Sequence, residues 1–236
     1  MRTLYKTTLF LAVGAFCLGI GTSLRAQTTI FDNSVNDLVT RFNPGTYEVG
    51  DEILLASPAD RYLTSFSFEY WGTSGGSDTA PSFSAPITAT VTFYENDGTP
   101  YHGYNTPGTS FFTESFLVPG PTSRSTFVFT PASDFPGGLP LFIPTSDMTW
   151  SVQFSGMGAT DSVGVDIYSP PVIGSDYPDY WQNDGTGWTL QTNTVPMDFA
   201  ARFDANATIP EPSTLALSLA GGLGLLTLAR RLRHKA

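Results

Sequence analysis

The chemistry open to this 236-residue chain is almost entirely that of oxygen. Between Gln27 and Ile209 there are 20 Asp and Glu, one histidine (His102), no cysteine and no lysine. Zinc sites built from several His or Cys are therefore excluded there, as are cysteine nucleophiles. His102 stands between Tyr101 and Gly103 in a turn-rich segment, where a surface histidine is the expectation. A glycosidase needs only two carboxylates at a set separation. Here, however, Asp97, Asp134, Asp147, Asp161 and Asp184 fall in turns and Glu69 and Glu95 at strand ends, none beside a catalytic signature. The expectation is a chain with no catalytic residues, not an enzyme.

Ring-bearing residues are the second resource. Tyr101, Tyr180, Trp181 and Trp188 lie among Asp and Asn, the composition of an edge where sugar rings stack on aromatic faces and amides and carboxylates bind hydroxyls. They are the candidate glycan contacts; the competing reading is that they cap the open end of a β-sandwich. Tyr94-Glu95-Asn96-Asp97-Gly98-Thr99 is echoed by Trp181-Gln182-Asn183-Asp184-Gly185-Thr186. Asn-Asp-Gly is first a turn former, because all three residues tolerate left-handed backbone. Ca²⁺ at Asp97 and Asp184 is the alternative, but it needs six to eight oxygens and no Asp-x-Asp-x-Asp loop occurs. No metal or other cofactor is expected beyond that alternative.

The third feature is a stretch built to be acted upon. Pro210-Glu211-Pro212 is followed by an uncharged, Leu-, Ala- and Gly-rich run from Ser213 to Ala229 and then by Arg230, Arg231, Arg233 and Lys235. Each proline fixes its own φ and pushes its predecessor out of the helical region, so the first three residues should be an extended strip that a protease can bind. As a helix the apolar run spans roughly 25 Å, at the short end of the transmembrane range. The basic cluster should stay on the cytoplasmic side. This order, with the Gly221-Gly222-Leu223-Gly224-Leu225 stretch inside the run, resembles the PEP-CTERM sorting domain of exported bacterial proteins over about an eighth of the chain. The resemblance implies recognition of Pro210, Glu211 and Pro212 by an exosortase, a membrane-embedded transpeptidase-like enzyme that cuts near the motif. It also implies an ectodomain that is anchored in the inner membrane on the periplasmic side before processing. Afterwards it joins the cell surface or an exopolysaccharide-rich extracellular matrix.

At the other end, Arg2 and Lys6 precede an apolar run from Thr7 to Ile20 and small residues up to Ala26, the pattern of a secretory signal peptide handled by the Sec export machinery. The expected organisation is a signal peptide at 1–26, an ectodomain at 27–205, and a sorting segment at 206–236. The last comprises a linker and motif (206–212), a transmembrane helix (213–229) and a basic tail (230–236). With 20 acidic residues against Arg41, Arg61, Arg124 and Arg202, the stretch from Gln27 to Ile209 has a formal charge of −16 (4 − 20), a field that repels nucleic acid.

The elements that must carry these residues read with period two. Met148, Trp150, Val152 and Phe154 alternate with Thr149, Ser151, Gln153 and Ser155, the pattern of a half-buried antiparallel strand. Similar alternation at Tyr62–Trp71, Ala89–Phe93, Phe127–Phe129, Val163–Ile167 and Phe199–Phe203, with weaker runs at Thr28–Phe31, Glu52–Leu55, Phe111–Val118 and Trp188–Gln191, predicts about ten strands and no helix between the ends. The expected fold is all-β, an antiparallel two-sheet sandwich of jelly-roll type, with an up-and-down barrel as the alternative. Three long connections are expected at Gly72–Pro86, Asn96–Ser110 and Ser169–Gly187.

Overall fold

The structure is a computed structural model that describes residues 27–57 and 59–207. The signal-peptide region, Pro210-Glu211-Pro212, the run 213–229 and the basic cluster Arg230, Arg231, Arg233 and Lys235 lie outside the described residues. Among those described, no helix is long and apolar enough to cross a membrane.

Among the described residues fourteen strands form two antiparallel sheets, which do not close into a barrel. The spine of sheet A is β4 (Tyr62–Ser74). One edge of it pairs with β14 (Ala201–Asn206) and β10 (Asp161–Tyr168), the other with β7 (Thr122–Phe129) and the short β8 (Leu141–Phe142). Outside these run β1 (Thr28–Asn33), paired with β14, and β2 (Asp37–Phe42), paired with β10. Sheet B has the order β13 (Trp188–Thr192), β12 (Asp179–Asn183), β3 (Glu48–Leu54), β9 (Asp147–Ser155), β5 (Thr88–Glu95) and β6 (Ser110–Leu117), with β11 (Ser175–Asp176) also on β3.

The alternation read in the sequence is what builds the core. Met148, Trp150, Val152 and Phe154 of β9 are fully buried, as are Val91 and Phe93 of β5 and Val163, Val165 and Ile167 of β10. Phe66 of β4 is the hub between the sheets, with the rings of Phe93, Trp150 and Phe203 centred 5.0, 5.4 and 4.7 Å away. Two expectations need correction. The connection Ser169–Gly187 is not a loop, since it contains β11 and β12. Phe199 precedes β14 and joins the sheet by a single bridge to Ile167.

Candidate functional site

The outer face of sheet B collects most of the residues singled out in the sequence. Tyr94 on β5 and Trp188 on β13 are four strands apart, about 19 Å in a flat sheet at ordinary strand spacing. Their ring centroids are nevertheless 5.6 Å apart in an edge-to-face pair. The β12–β13 hairpin therefore curls back over the outer surface of β3 and β9. This explains why Thr149 and Ser151, which alternate with the core residues of β9, are themselves fully buried. Gly50 of β3 opposes Trp181 in the ladder, and a Cβ there would stand 2.6 Å from the Thr149 methyl.

Two β3 carboxylates hold the curl together. Glu48 Oε1 accepts hydrogen bonds from the Tyr94 hydroxyl (2.9 Å) and the Ser151 hydroxyl (2.6 Å), and Oε2 accepts one from Asn183 Nδ2 (3.4 Å). Glu52 Oε2 accepts from Trp181 Nε1 at 3.0 Å. Burial pushes the Glu52 carboxyl up to about 7, with the Trp181 bond opposing and Asp147 and Asp179 adding to the rise. Burial, with the Glu48 carboxylate beside it, also raises the Tyr94 hydroxyl.

The echoed hexapeptides thus have a structural meaning. Their aromatic residues, Tyr94 and Trp181, approach the same face from opposite sides, each donating to a glutamate of β3. Their aspartates play different local parts: Asp97 accepts from the backbone N–H and hydroxyl of Thr109 (2.6 and 2.7 Å), closing the connection between β5 and β6, and Asp184 accepts the same two donors from Thr186 (2.9 and 2.6 Å) in a tight turn. Those bonds hold both carboxyls below the usual range. Asn96 bridges Thr149 and Asp147 beside an open depression of about 240 Å³ lined by Glu95, Asp97, Thr145 and Ser146 as well. This is smaller than the roughly 300–1,000 Å³ of small-molecule sites.

The four candidate glycan contacts are not brought together. Tyr180 points into the core, 7% exposed, with its ring 5.0 Å from that of Phe42. Trp181 is 1% exposed under the curl. Trp188 is half-buried at the rim. Tyr101 sits elsewhere, on a tight hairpin in which it exchanges backbone hydrogen bonds with Tyr104 and the exposed His102 takes φ +52° at the tip. Tyr94, which completes the rim with Trp188, was missed because it reads as a strand end; its echo with Trp181 was the available signal.

Gly72-Thr73-Ser74-Gly75-Gly76 has the Gly-x-Ser-x-Gly spacing of a nucleophile elbow. It forms no strand-to-helix turn, however. Ser74 and Ser77 exchange backbone hydrogen bonds (3.0 and 3.1 Å) around Gly75 and Gly76, both at positive φ, as the tip of a hairpin.

On the outer face of sheet A, Arg124 of β7 reaches Asp37 (2.6 Å), Glu69 (3.3 Å) and Asp166 (3.8 Å), and Arg41 of β2 approaches Asp166 at 3.9 Å. The Tyr168 hydroxyl donates to Glu69 at 2.7 Å under the Arg124 guanidinium. This network ties β7, β4, β10 and β2 across one face. Burial pushes Asp166 up to about 6 in spite of the two arginines.

A third group is interior. Asp51 of β3 and Asp198, just before β14, are 0% and 2% exposed. Burial raises the Asp51 carboxyl well above the usual range, and the nearby Asp176 and Asp198 carboxylates raise it further. Asp176 is also raised, by burial and then Asp198, and Asp198 itself to about 6, mainly by burial. Among the described residues, no three His, Cys, Asp or Glu side chains are placed to share one metal ion as they stand.

No protein-family model matches the chain, and no curated protein or solved structure is significantly similar to it.

Proposed function

We propose that the chain is a non-catalytic exported protein of the cell surface or extracellular matrix, delivered through the inner membrane by Sec and processed by an exosortase at Pro210-Glu211-Pro212. The observation that carries this reading is the order of motif, apolar run and basic cluster at 210–235. The fold is compatible with it: Thr28 is the ladder partner of Ala205, so both ends of the ectodomain leave along one sheet edge. The last strand ends at Asn206, four residues before Pro210 in the sequence. In this reading the sandwich is of jelly-roll type, the segment 213–229 is the membrane helix, and Arg230, Arg231, Arg233 and Lys235 orient it. The decisive measurement is the intact mass and C-terminal peptide of protein recovered from the native surface or medium. A chain running from near Gln27 to near Pro212 is expected. Recovery of an intact Arg230–Ala236 end in the inner-membrane fraction would sink the exosortase reading.

A second reading, that the ectodomain binds exopolysaccharide, is favoured by the Tyr94–Trp188 pair at the rim of the sheet B face. Polysaccharide binding lost in Trp188→Ala but kept in Tyr101→Ala would assign it to that rim. Equal binding by both variants and the parent would dismiss the rim.

A further inference from the structure

Of the eight asparagines in the chain, only Asn206 is followed two residues on by Ser or Thr with no proline between, as Asn206-Ala207-Thr208. That spacing is the acceptor pattern for transfer of sugar to an asparagine amide in an exported protein. Asp204, two residues before, adds a carboxylate that a cationic subsite of a transferase can also read. Three residues of this kind arise often by chance; what sets these apart is where β14 places them.

Asn206 is the last residue of β14. The ladder to β1 has already ended, at Thr28 and Ala205, while on the other side Asn206 still pairs with Tyr62 of β4 and its carbonyl accepts the Arg61 N–H at 3.2 Å. Opening that one terminal rung frees the acceptor, and frayed ends are the cheapest part of a sheet to open. Period two puts the side chain on the outer face of sheet A: Phe203 and Ala205 are fully buried, whereas Arg202, Asp204 and Asn206 are not. Asn206 Oδ1 is turned from solvent and accepts no hydrogen bond, so no bond through that atom holds the amide against rotation.

The same rung carries two aromatic rings. Tyr62 lies directly opposite Asn206, and Phe142 of β8 lies directly opposite Tyr62 on its other side. Their ring centroids are 5.4 Å apart, and Phe142 is 52% exposed, a large apolar side chain left in water. At ordinary strand spacing the row from Asn206 through Tyr62 to Phe142 extends roughly 10 Å, an apolar shelf on which sugar faces can stack.

We propose that Asn206 is an N-glycosylation site, that its donor is a lipid-diphosphate-linked oligosaccharide, and that the sugars nearest Asn206 lie over Tyr62 and Phe142. This rests on the export reading, in which Ser213 begins the membrane span. Ser213 stands seven residues on (213 − 206), at most about 25 Å of extended chain, which keeps the acceptor within reach of a membrane-embedded transferase and its lipid-linked donor. In the transfer Asn206 Nδ2 bonds to the anomeric carbon of the first sugar. The bond from that carbon to the diphosphate oxygen breaks, its electron pair leaves with the lipid diphosphate, and one Nδ2 proton goes to a base of the enzyme. No oxidant or reductant is required.

The test is a tryptic digest of protein recovered from the native cell surface or medium. Cleavage after Arg202 gives one peptide that begins at Phe203 and includes Asn206. An oligosaccharide of defined mass on Asn206 is expected, lost in Asn206→Gln and also in Thr208→Ala, which keeps the asparagine. Bare Asn206 in the wild type, or sugar retained in Thr208→Ala, overturns the site. The C-terminal end of the same peptide reports on processing separately. An end near Pro212 with Asn206 bare sinks this proposal alone, and a glycosylated peptide running on to Arg230 sinks the exosortase cut alone. For the stacking, Thr208→Ala should lower the melting temperature by about 2–4 °C in the wild-type background, and by no more than about 1 °C beside Phe142→Ala. An equal drop in both backgrounds overturns the placement over the rings.

Discussion

The curl of sheet B rests on Glu48, which makes Tyr94→Phe and Glu48→Ala its sharpest probes. Tyr94→Phe keeps the ring against Trp188 and removes only the hydroxyl that donates to Glu48 over 2.9 Å. Hydrogen bonds to charged groups are worth about 1.5–3 kcal/mol, and Tyr94 is half-buried, so a cost of about 1–2 kcal/mol is expected. Glu48→Ala removes the acceptor of three donors. Ser151 retains the Thr92 carbonyl at 3.3 Å and Tyr94 can turn to water, which holds the expected cost to about 2–4 kcal/mol. Because both variants delete one shared bond, the double variant should be less destabilised than the sum by about 1 kcal/mol.

Urea unfolding followed by tryptophan fluorescence reads all three, with an unchanged m-value confirming comparable states. The raised hydroxyl of Tyr94 adds a second signature. A folded pKa above the unfolded value means stability that is complete below about pH 10 and is lost as pH rises through the folded pKa. Tyr94→Phe should therefore lose less stability than the parent above pH 10. Strict additivity, with Tyr94→Phe within 0.3 kcal/mol of wild type, would refute the closed hairpin.

Gly164→Ala should be among the most damaging small changes. Its Cβ would stand 1.9 Å from the Phe42 carbonyl oxygen and force β2 off β10, at a cost of about 3 kcal/mol or more, whereas Gly120→Ala, with nothing within 4 Å, should stay within about 0.5 kcal/mol. Thermal melts of the pair check this, and equal melting temperatures would contradict the packing of β2. Asp166 is raised from 3.8 to about 6, so its contribution is full below about pH 4 and is lost as pH rises through 6. Asp166→Asn should gain on wild type by about 1–2 kcal/mol between pH 4 and pH 8, solvent screening reducing the full linkage value, and a difference flat across that range in urea titrations would refute it.

What could be read from the sequence follows from which faces of each strand are dry. In β9 one face meets the core and the other carries Thr, Ser and Gln, so period two is clean and the strand was legible residue by residue. In β3 the outward Glu48 and Glu52 hydrogen-bond the curled hairpin, while an aspartate, Asp51, faces inward. With Asp51 standing between Val49 and Ile53 on the inner face the apolar alternation is broken, so only Glu52–Leu55 read as a weak strand. Strand β12 was hidden for a related reason: Tyr180 enters the core and Trp181 the second dry layer, so two adjacent large aromatics break the alternation. Trp181 and Trp188 share the β12–β13 hairpin, but the acceptor that Trp181 Nε1 meets is Glu52 of the protein's own β3. The acids Asp51, Asp176 and Asp198 come from segments that no local pattern connects.

The distribution of charge ties these features together. The strands of sheet B contain no Lys, Arg or His, yet they hold Glu48, Asp51, Glu52, Glu95, Glu114, Asp147, Asp176 and Asp179. The strands of sheet A carry Arg41, Arg124 and Arg202, each set against carboxylates of its own face. An anionic polysaccharide approaching the Tyr94–Trp188 rim would meet uncompensated carboxylates, so any glycan held there should be neutral and stack on the rings.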